Sequence, residues 1–361
     1  MKATQQLHDL GQSLWLDYIS RELLRSGTLA RYRDEFSVTG LTSNPTIFDE
    51  AIRKGNYYDD SIRRMTGQGK SGEELFYELA LEDLVEAADL FRPIYDATDG
   101  LDGFVSLEVS PLLAYDTKAT INEVARLHDQ SRRQNVMIKI PGTPQGVPAI
   151  EESIFAGVPV NVTLLFSREQ YIASAEAYLR GIERRIAAGL NPSVHSVASV
   201  FISRWDKAIA GKVPETLRNR LGIAIARRTY KSYRDLLESS RWQQLAKSGA
   251  LLQRLLWGST GTKDPAASDV MYIEALAAPD TINTIPEKTL LAFADHGKVK
   301  DIMPRDAGDA EEVLTDFERA GISVGELAGQ LQREGAEAFD KSWNDLMKCI
   351  ASKSASLKKA G

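Results

Sequence analysis

Two kinds of apolar pattern alternate along the chain. Short runs rich in Val, Ile and Leu occur at Ser13–Tyr18, Val38–Ser43, Phe104–Val109, Val136–Ile140, Val158–Leu165, Val197–Phe201, Leu255–Trp257 and, more weakly, Thr281–Thr284. Between them, longer stretches carry apolar residues at helical spacing. Glu73–Tyr95 shows this most clearly, with Leu75, Leu79, Leu84, Ala88 and Phe91 recurring at roughly three to four residues. Lys118–Ser131 and Arg168–Ala188 have the same character. Strands that alternate with helices lie parallel in one sheet. Eight such strands predict an α/β fold, a closed (β/α)8 TIM barrel, which needs about 250 residues. The chain has 361 residues, so the remainder predicts extra helices and helical insertions. These fall at about 20–37, 48–72 and 207–253, with a C-terminal helical segment at about 305–359 that ends in SKSASLKKAG and is expected to fray in its last few residues. No repeat or long Pro/Gly/Ser linker divides the chain, so residues 1–361 are expected to form a single barrel domain.

Composition narrows the function classes. Lys plus Arg is 44 and Asp plus Glu is 50, a formal net charge of −6. That balance argues against a nucleic-acid binder, which needs clustered positive charge. A small anionic ligand needs only a few placed cations and stays open. The single cysteine, Cys349, excludes an intramolecular disulfide, a Cys-x-x-Cys pair and a multi-cysteine zinc site. His8, His128, His195 and His296 lie far apart, so no metal site is expected. No apolar run approaches the ~18 residues of a membrane span, and Met1–Leu10 lacks the basic and apolar regions of a secretory signal. A cytoplasmic protein without membrane contact is the expectation. Cys349, near Trp343 and Leu346, fits a buried small apolar residue. Trp15 fits packing, Asp309–Glu312 a helix start, and Lys353–Lys359 a solvated end.

The chemistry gathers at strand ends. Residues two apart on a strand share a face, and functional groups of a (β/α)8 barrel sit at the C-terminal ends of its strands. The first run ends at Asp17, in line with Trp15. The second carries Thr42 and Asn44 just before Pro45, and the third carries Glu108 in line with Ser106 and Ser110. Lys139 sits in the fourth between Ile138 and Ile140. The fifth carries Asn161 and Thr163; the sixth carries Ser199 and Phe201, with Arg204 just beyond. The seventh runs into WGSTGTK, which brings Ser259 and Lys263. A lone strand lysine is often an edge residue that reaches water. That reading loses weight because Asp17, Glu108, Asn161 and Thr163 occupy equivalent positions on neighbouring runs. Desolvation lowers a lysine pKa, and a neutral amine attacks a ketone to form a Schiff base. Nearby carboxylates favour the charged amine instead, and the sequence leaves that balance open. Asn44 before Pro45 also fits a turn former, and Arg204 an ordinary helix-start cation.

These residues carry a family resemblance. Gly40-Leu41-Thr42-Ser43-Asn44-Pro45-Thr46-Ile47-Phe48 resembles the N-terminal signature of transaldolases. Val136-Met137-Ile138-Lys139-Ile140-Pro141-Gly142-Thr143, followed by Gly146, resembles their Schiff-base lysine motif, and Asn161–Ser167 the adjoining strand. The similarity spans nearly the whole chain and is greatest to the longer bacterial members, through WGSTGTKDP and NTIPEKTL. It implies transfer of a dihydroxyacetone unit from sedoheptulose 7-phosphate to glyceraldehyde 3-phosphate, giving erythrose 4-phosphate and fructose 6-phosphate in the pentose phosphate pathway. It implies sugar-phosphate substrates and no cofactor. By motif position, Lys139 is the Schiff-base lysine and Asp17 the acid/base at the sugar hydroxyl beside the cleaved bond. Glu108 and Thr163 position the catalytic water. Thr42, Asn44, Asn161 and Ser199 contact the dihydroxyacetone part, Phe201 lines the site, and Arg204 and Ser259 bind phosphate.

One departure stands out. Better-known members carry Ser-Phe-Arg after the seventh strand, where this chain has Ser259-Thr260-Gly261-Thr262-Lys263. Either Lys263 replaces that arginine or Arg204 carries the phosphate alone. Two other functions compete with transfer: a related lysine aldolase that releases dihydroxyacetone, and a non-catalytic sugar-phosphate-binding barrel. Glu108 and Phe201 favour transfer, because the aldolase relatives tend to carry Gln and Tyr there. The intact set Lys139, Asp17 and Glu108 disfavours a non-catalytic barrel. Monomer and homodimer both fit the sequence.

Overall fold

The computed structural model describes residues 2–359. Met1, Ala360 and Gly361, which end the expected domain and its expected frayed tail, lie outside the described residues. Eight strands close into a parallel barrel in chain order: β1 (Gln12–Leu16), β2 (Val38–Thr42), β3 (Val105–Glu108), β4 (Val136–Pro141), β5 (Val160–Leu165), β6 (Ser196–Phe201), β7 (Gln253–Gly258) and β8 (Thr281–Ile285). Closure is made by β1 pairing with β8, from Gln12 opposite Thr281 to Leu16 opposite Ile285. The predicted (β/α)8 architecture with extra helices is the one observed. Strand ends move by one to two residues. β5 starts at Val160 because Pro159 has no N–H for the ladder. β1 stops at Leu16, yet the Asp17 N–H still donates to the Ile285 carbonyl at 2.9 Å, which fixes Asp17 at the rim.

Alternation along the strands sorts side chains into two cores. Those facing outward pack under the helices in the main apolar cluster. Those facing inward fill the barrel: Trp15, Phe104, Met137, Val197, Leu256 and Ile282 form a separate cluster. Gly40 serves this inner layer, since a Cβ there would lie 2.5 Å from the Phe104 carbonyl and 2.7 Å from Trp15 Nε1. A third cluster joins the 207–253 region to the C-terminal helices. There Trp205, Leu221 and Ile225 meet Leu314, Phe317 and Leu331, with Leu164 and Phe166 beneath them.

The C-terminal segment corrects two expectations. Its last helix runs unbroken from Val324 to Lys359. Lys353 is not a solvated end, because its ammonium donates to the Ile52 and Gly55 carbonyls at 2.8 and 2.7 Å and pairs with Asp59 at 3.0 Å. Those carbonyls lie at the C-terminal end of the helix Pro45–Arg53, where a cation is favoured. Cys349 is only half-buried, and it lies beside the Asp49 carboxylate as well as apolar neighbours. Asp309–Glu312 does start a helix, Ala310–Arg319, and Glu311 is also paired with Arg228 at 2.7 Å.

Candidate active site

The C-terminal mouth of the barrel holds a cleft of about 140 Å3. Asp17, Thr42, Asn44, Lys139, Thr163, Ser199, Phe201, Arg204, Ser259 and Lys263 all line it. Glu108 and Asn161 lie immediately beneath, bonded to lining residues. The structure therefore brings together every site residue expected from sequence.

Lys139 is the centre. Its register on β4 sets it between Glu108 of β3 and Asn161 of β5. The ammonium donates to Glu108 Oε2 at 3.1 Å and to the Ser43 carbonyl at 3.0 Å, and both side chains are almost fully buried. A buried ion pair is costly to desolvate, so it marks chemistry more than stability. Burial pushes the Glu108 carboxyl above its ordinary range, against the pull of the Lys139 charge and hydrogen bond. Burial likewise raises Asp17, against Lys139 and the hydrogen bond from Thr42. Both acids are thus poised to hold and release protons nearer neutrality.

Around this centre a relay of hydroxyls and amides fixes geometry. Thr42 Oγ1 donates to Asp17 at 2.9 Å and meets Thr284 Oγ1 at 2.6 Å. Ser199 donates to Asn161 Oδ1 at 2.8 Å, and Asn161 Nδ2 donates to Ser106 Oγ at 3.0 Å. Asn44 is both a helix cap and a residue of the cleft wall. Its Oδ1 caps the helix Pro45–Arg53 by accepting from the Ile47 N–H at 3.1 Å, while the side chain lines the cleft. Close to Lys139, the buried Glu108 Oε1 and Thr163 Oγ1 have no protein partner. An unpaired buried acceptor beside the reactive amine is the kind of exception that calls for a functional reason.

Cations collect on one side of the mouth. Arg204 starts the helix Ser203–Ala208 after β6, and burial holds its pKa below the ordinary value. Lys263 is exposed at the rim; burial of its stem lowers its pKa, as do the charges of Lys207 and Arg204, while Asp17 raises it. Ser259 is held at φ +53° with its hydroxyl 2.9 Å from Ser203 Oγ, which turns the loop after β7 toward these cations.

Sequence reasoning missed Thr284 and Phe339 as lining residues, and Ser106 as the support for Asn161. Thr284 was within reach, two residues beyond Ile282 on the inward face of the weakest strand. Phe339 carries no such signal, because it arrives on the C-terminal helix. Among the described residues no group of His, Cys, Asp and Glu could hold a metal ion. No helix among them is long and apolar enough to cross a membrane.

Residues 14–350 match the family model described as Transaldolase/Fructose-6-phosphate aldolase. The chain is 44% identical over 356 residues to Transaldolase of Thermobifida fusca, covering 96% of this chain and 97% of that protein. It is 43% identical over 366 residues to Transaldolase of an Arthrobacter species, covering 99% of each. It is 40% identical over 367 residues to Transaldolase 2 of a Nostoc species, covering 96% of each. Full-length similarity at this level, together with a lysine–carboxylate centre in a closed eight-stranded barrel, shows that the chain belongs to the transaldolase/fructose-6-phosphate aldolase family.

Proposed function

We propose that this chain is a transaldolase that moves a dihydroxyacetone unit between sugar phosphates through an imine on Lys139. One observation carries the reading: the buried Lys139 ammonium in contact with Glu108, with the Asp17 charge acting on the same amine.

The steps follow from that arrangement. Transfer of the ammonium proton to Glu108, whose raised pKa suits it to accept one, frees the amine lone pair. The amine adds to the ketose carbonyl carbon, and loss of water gives the iminium. Asp17 takes the proton from the hydroxyl on the far carbon of the bond to be broken, the carbon that becomes the aldehyde. That carbon–carbon bond then cleaves; its electrons flow into the iminium to give an enamine, and an aldehyde leaves. The enamine attacks the acceptor aldehyde while Asp17 returns the proton. Water, positioned by the free Glu108 and Thr163 oxygens, hydrolyses the new iminium and releases the product ketose. Thr42, Asn44, Asn161 and Ser199 hold the dihydroxyacetone hydroxyls. Arg204, Ser259 and Lys263 receive the phosphate, and both cations on one rim support sharing it between them.

The test is acceptor dependence. With fructose 6-phosphate as donor, ketose consumption should require an acceptor aldehyde such as erythrose 4-phosphate. Steady release of dihydroxyacetone at the same rate without acceptor would make the protein a lyase instead.

A further inference from the structure

Arg204 is held in an unusual way. Its guanidinium carbon lies 5.3 Å from the Phe201 ring centroid and 5.8 Å from that of Phe339. Among the described residues it forms no ion pair within 4 Å; the Glu108 and Glu334 charges act on it only weakly against burial. Cation–π attraction to two rings within about 6 Å biases the placement of a guanidinium without consuming its N–H donors. The whole fork therefore remains for an anion, and bidentate phosphate recognition needs that fork in a set orientation.

The two faces come from different parts of the chain. Phe201 ends β6 and is braced edge-on by Phe166, with centroids 5.5 Å apart. Phe339 belongs to the C-terminal helix and is 7% exposed, within the cluster that includes Leu164 and Trp205. The same helix face reaches the barrel at two earlier turns. Gln332 Nε2 donates to the Gly142 and Leu164 carbonyls, both at 2.9 Å, which ties the helix to the ends of β4 and β5. Gly335 passes so close that a Cβ would lie 3.1 Å from Arg204 Nη1 and 3.0 Å from Leu164 Cδ2. Leu164 itself is bent to φ +58° at the register shift in β5, and the Gln332 bond secures that strained turn beside Thr163.

We propose that Phe339 is a positioning residue for phosphate recognition: it biases the placement of Arg204 so that the site selects ketoses bearing a terminal phosphate. This rests on the reading that Arg204 takes the substrate phosphate. The C-terminal helix thereby becomes part of the specificity apparatus.

The experiment compares kcat/KM for fructose 6-phosphate with that for unphosphorylated fructose, using glyceraldehyde as a fixed acceptor. Four proteins are measured: wild type, Phe339→Ala, Phe339→Trp and Gly335→Ala. Wild type should prefer the phosphorylated donor. Phe339→Ala should lower that preference about tenfold, through KM for the phosphorylated donor more than through kcat. Phe339→Trp keeps an aromatic face and should retain the preference within about twofold. Gly335→Ala crowds Arg204 Nη1 and Leu164 Cδ2, so it should lower the preference for the phosphorylated donor more than it lowers turnover of fructose. A packing role alone would reduce both donors alike. An unchanged preference in Phe339→Ala and Gly335→Ala overturns the proposal. A wild type without any phosphate preference overturns the Arg204 reading beneath it.

Discussion

The two ends of this barrel both bury ionisable groups, and they treat them in opposite ways. At the N-terminal end, Asp102 accepts hydrogen bonds from Ser13 Oγ, from Trp15 Nε1 at 2.8 Å and from the Gly103 N–H at 3.0 Å. Arg254 donates to the same Ser13 hydroxyl at 2.7 Å and to the Leu101 and Thr281 carbonyls at 3.2 and 2.9 Å. Each residue has three hydrogen bonds to protein partners. At the C-terminal end, Lys139 and Glu108 are just as buried, but Glu108 Oε1 and Thr163 Oγ1 are unpaired, and Arg204 has aromatic faces in place of a carboxylate. A satisfied polar network rigidifies, whereas an unsatisfied one is costly and persists where substrate completes it. Unpaired atoms also occur near the strand starts, at Gln12 Oε1, Asn135 Oδ1 and Gln253 Oε1, so what sets the mouth apart is that its unpaired atoms lie beside a buried lysine–carboxylate pair.

The largest effect should come from the top. Glu108→Gln keeps the volume and removes the proton acceptor, so kcat should fall about 100- to 10,000-fold; it also leaves the buried Lys139 ammonium without its carboxylate, so the melting temperature should fall while the protein still folds. Steady-state kinetics alongside calorimetry reads both quantities. Near-wild-type turnover in this variant would remove Glu108 from the proton path. The pH profile adds a sign. Burial raises Asp17 and Glu108, so the acidic limb of kcat/KM should lie above the ordinary carboxylate range in wild type. That limb should change shape in the Gln variant.

Asp102→Asn makes the opposite test at the bottom. It removes a buried acceptor of three hydrogen bonds and should cost about 2–3 kcal/mol of stability, measured by urea unfolding. Its kcat should stay within about twofold of wild type. A large loss of turnover in a folded Asp102→Asn protein would break the division between the two ends.

A smaller effect should come from His195, which packs against the Tyr95 and Phe104 rings near the bottom cavity. Burial pushes its pKa down to about 4 from an ordinary 6.5. The unfolded chain therefore binds a proton that the folded chain refuses between those values. Stability linked to this group is complete above pH 6.5 and is lost as pH falls toward 4. His195→Gln should flatten that acid-side slope by about 1 kcal/mol per pH unit, with no change above neutrality. An unchanged slope would mean that His195 titrates as freely as an exposed histidine.

Much of this division was legible in the sequence, for a physical reason. Strand alternation places Lys139, Glu108, Asn161 and Ser199 on the inward face, and parallel topology gathers strand ends at one mouth. Asp17, Asn44 and Arg204 sit one to three residues past their strands, close enough that motif spacing still located them. Thr284 was less visible because β8 has the weakest apolar pattern. Asp102 and Arg254 escaped because they lie at the starts of the strands, away from the ends where chemistry is sought. Phe339 escaped for a deeper reason: no local pattern on an amphipathic helix shows which barrel residue it will face. Lys353 was misjudged for the same reason, since a basic tail looks solvated until the helix it caps is placed beside it.

The central claim is that Lys139 forms an imine with substrate, and borohydride reduction in the presence of fructose 6-phosphate tests it most directly. Reduction freezes the imine as a stable secondary amine, which intact mass and peptide mapping locate. The account predicts one dihydroxyacetone-sized adduct per chain, confined to the peptide containing Lys139 and absent from Lys139→Ala. A folded wild-type protein that gives no adduct, or an adduct on another lysine, would contradict it.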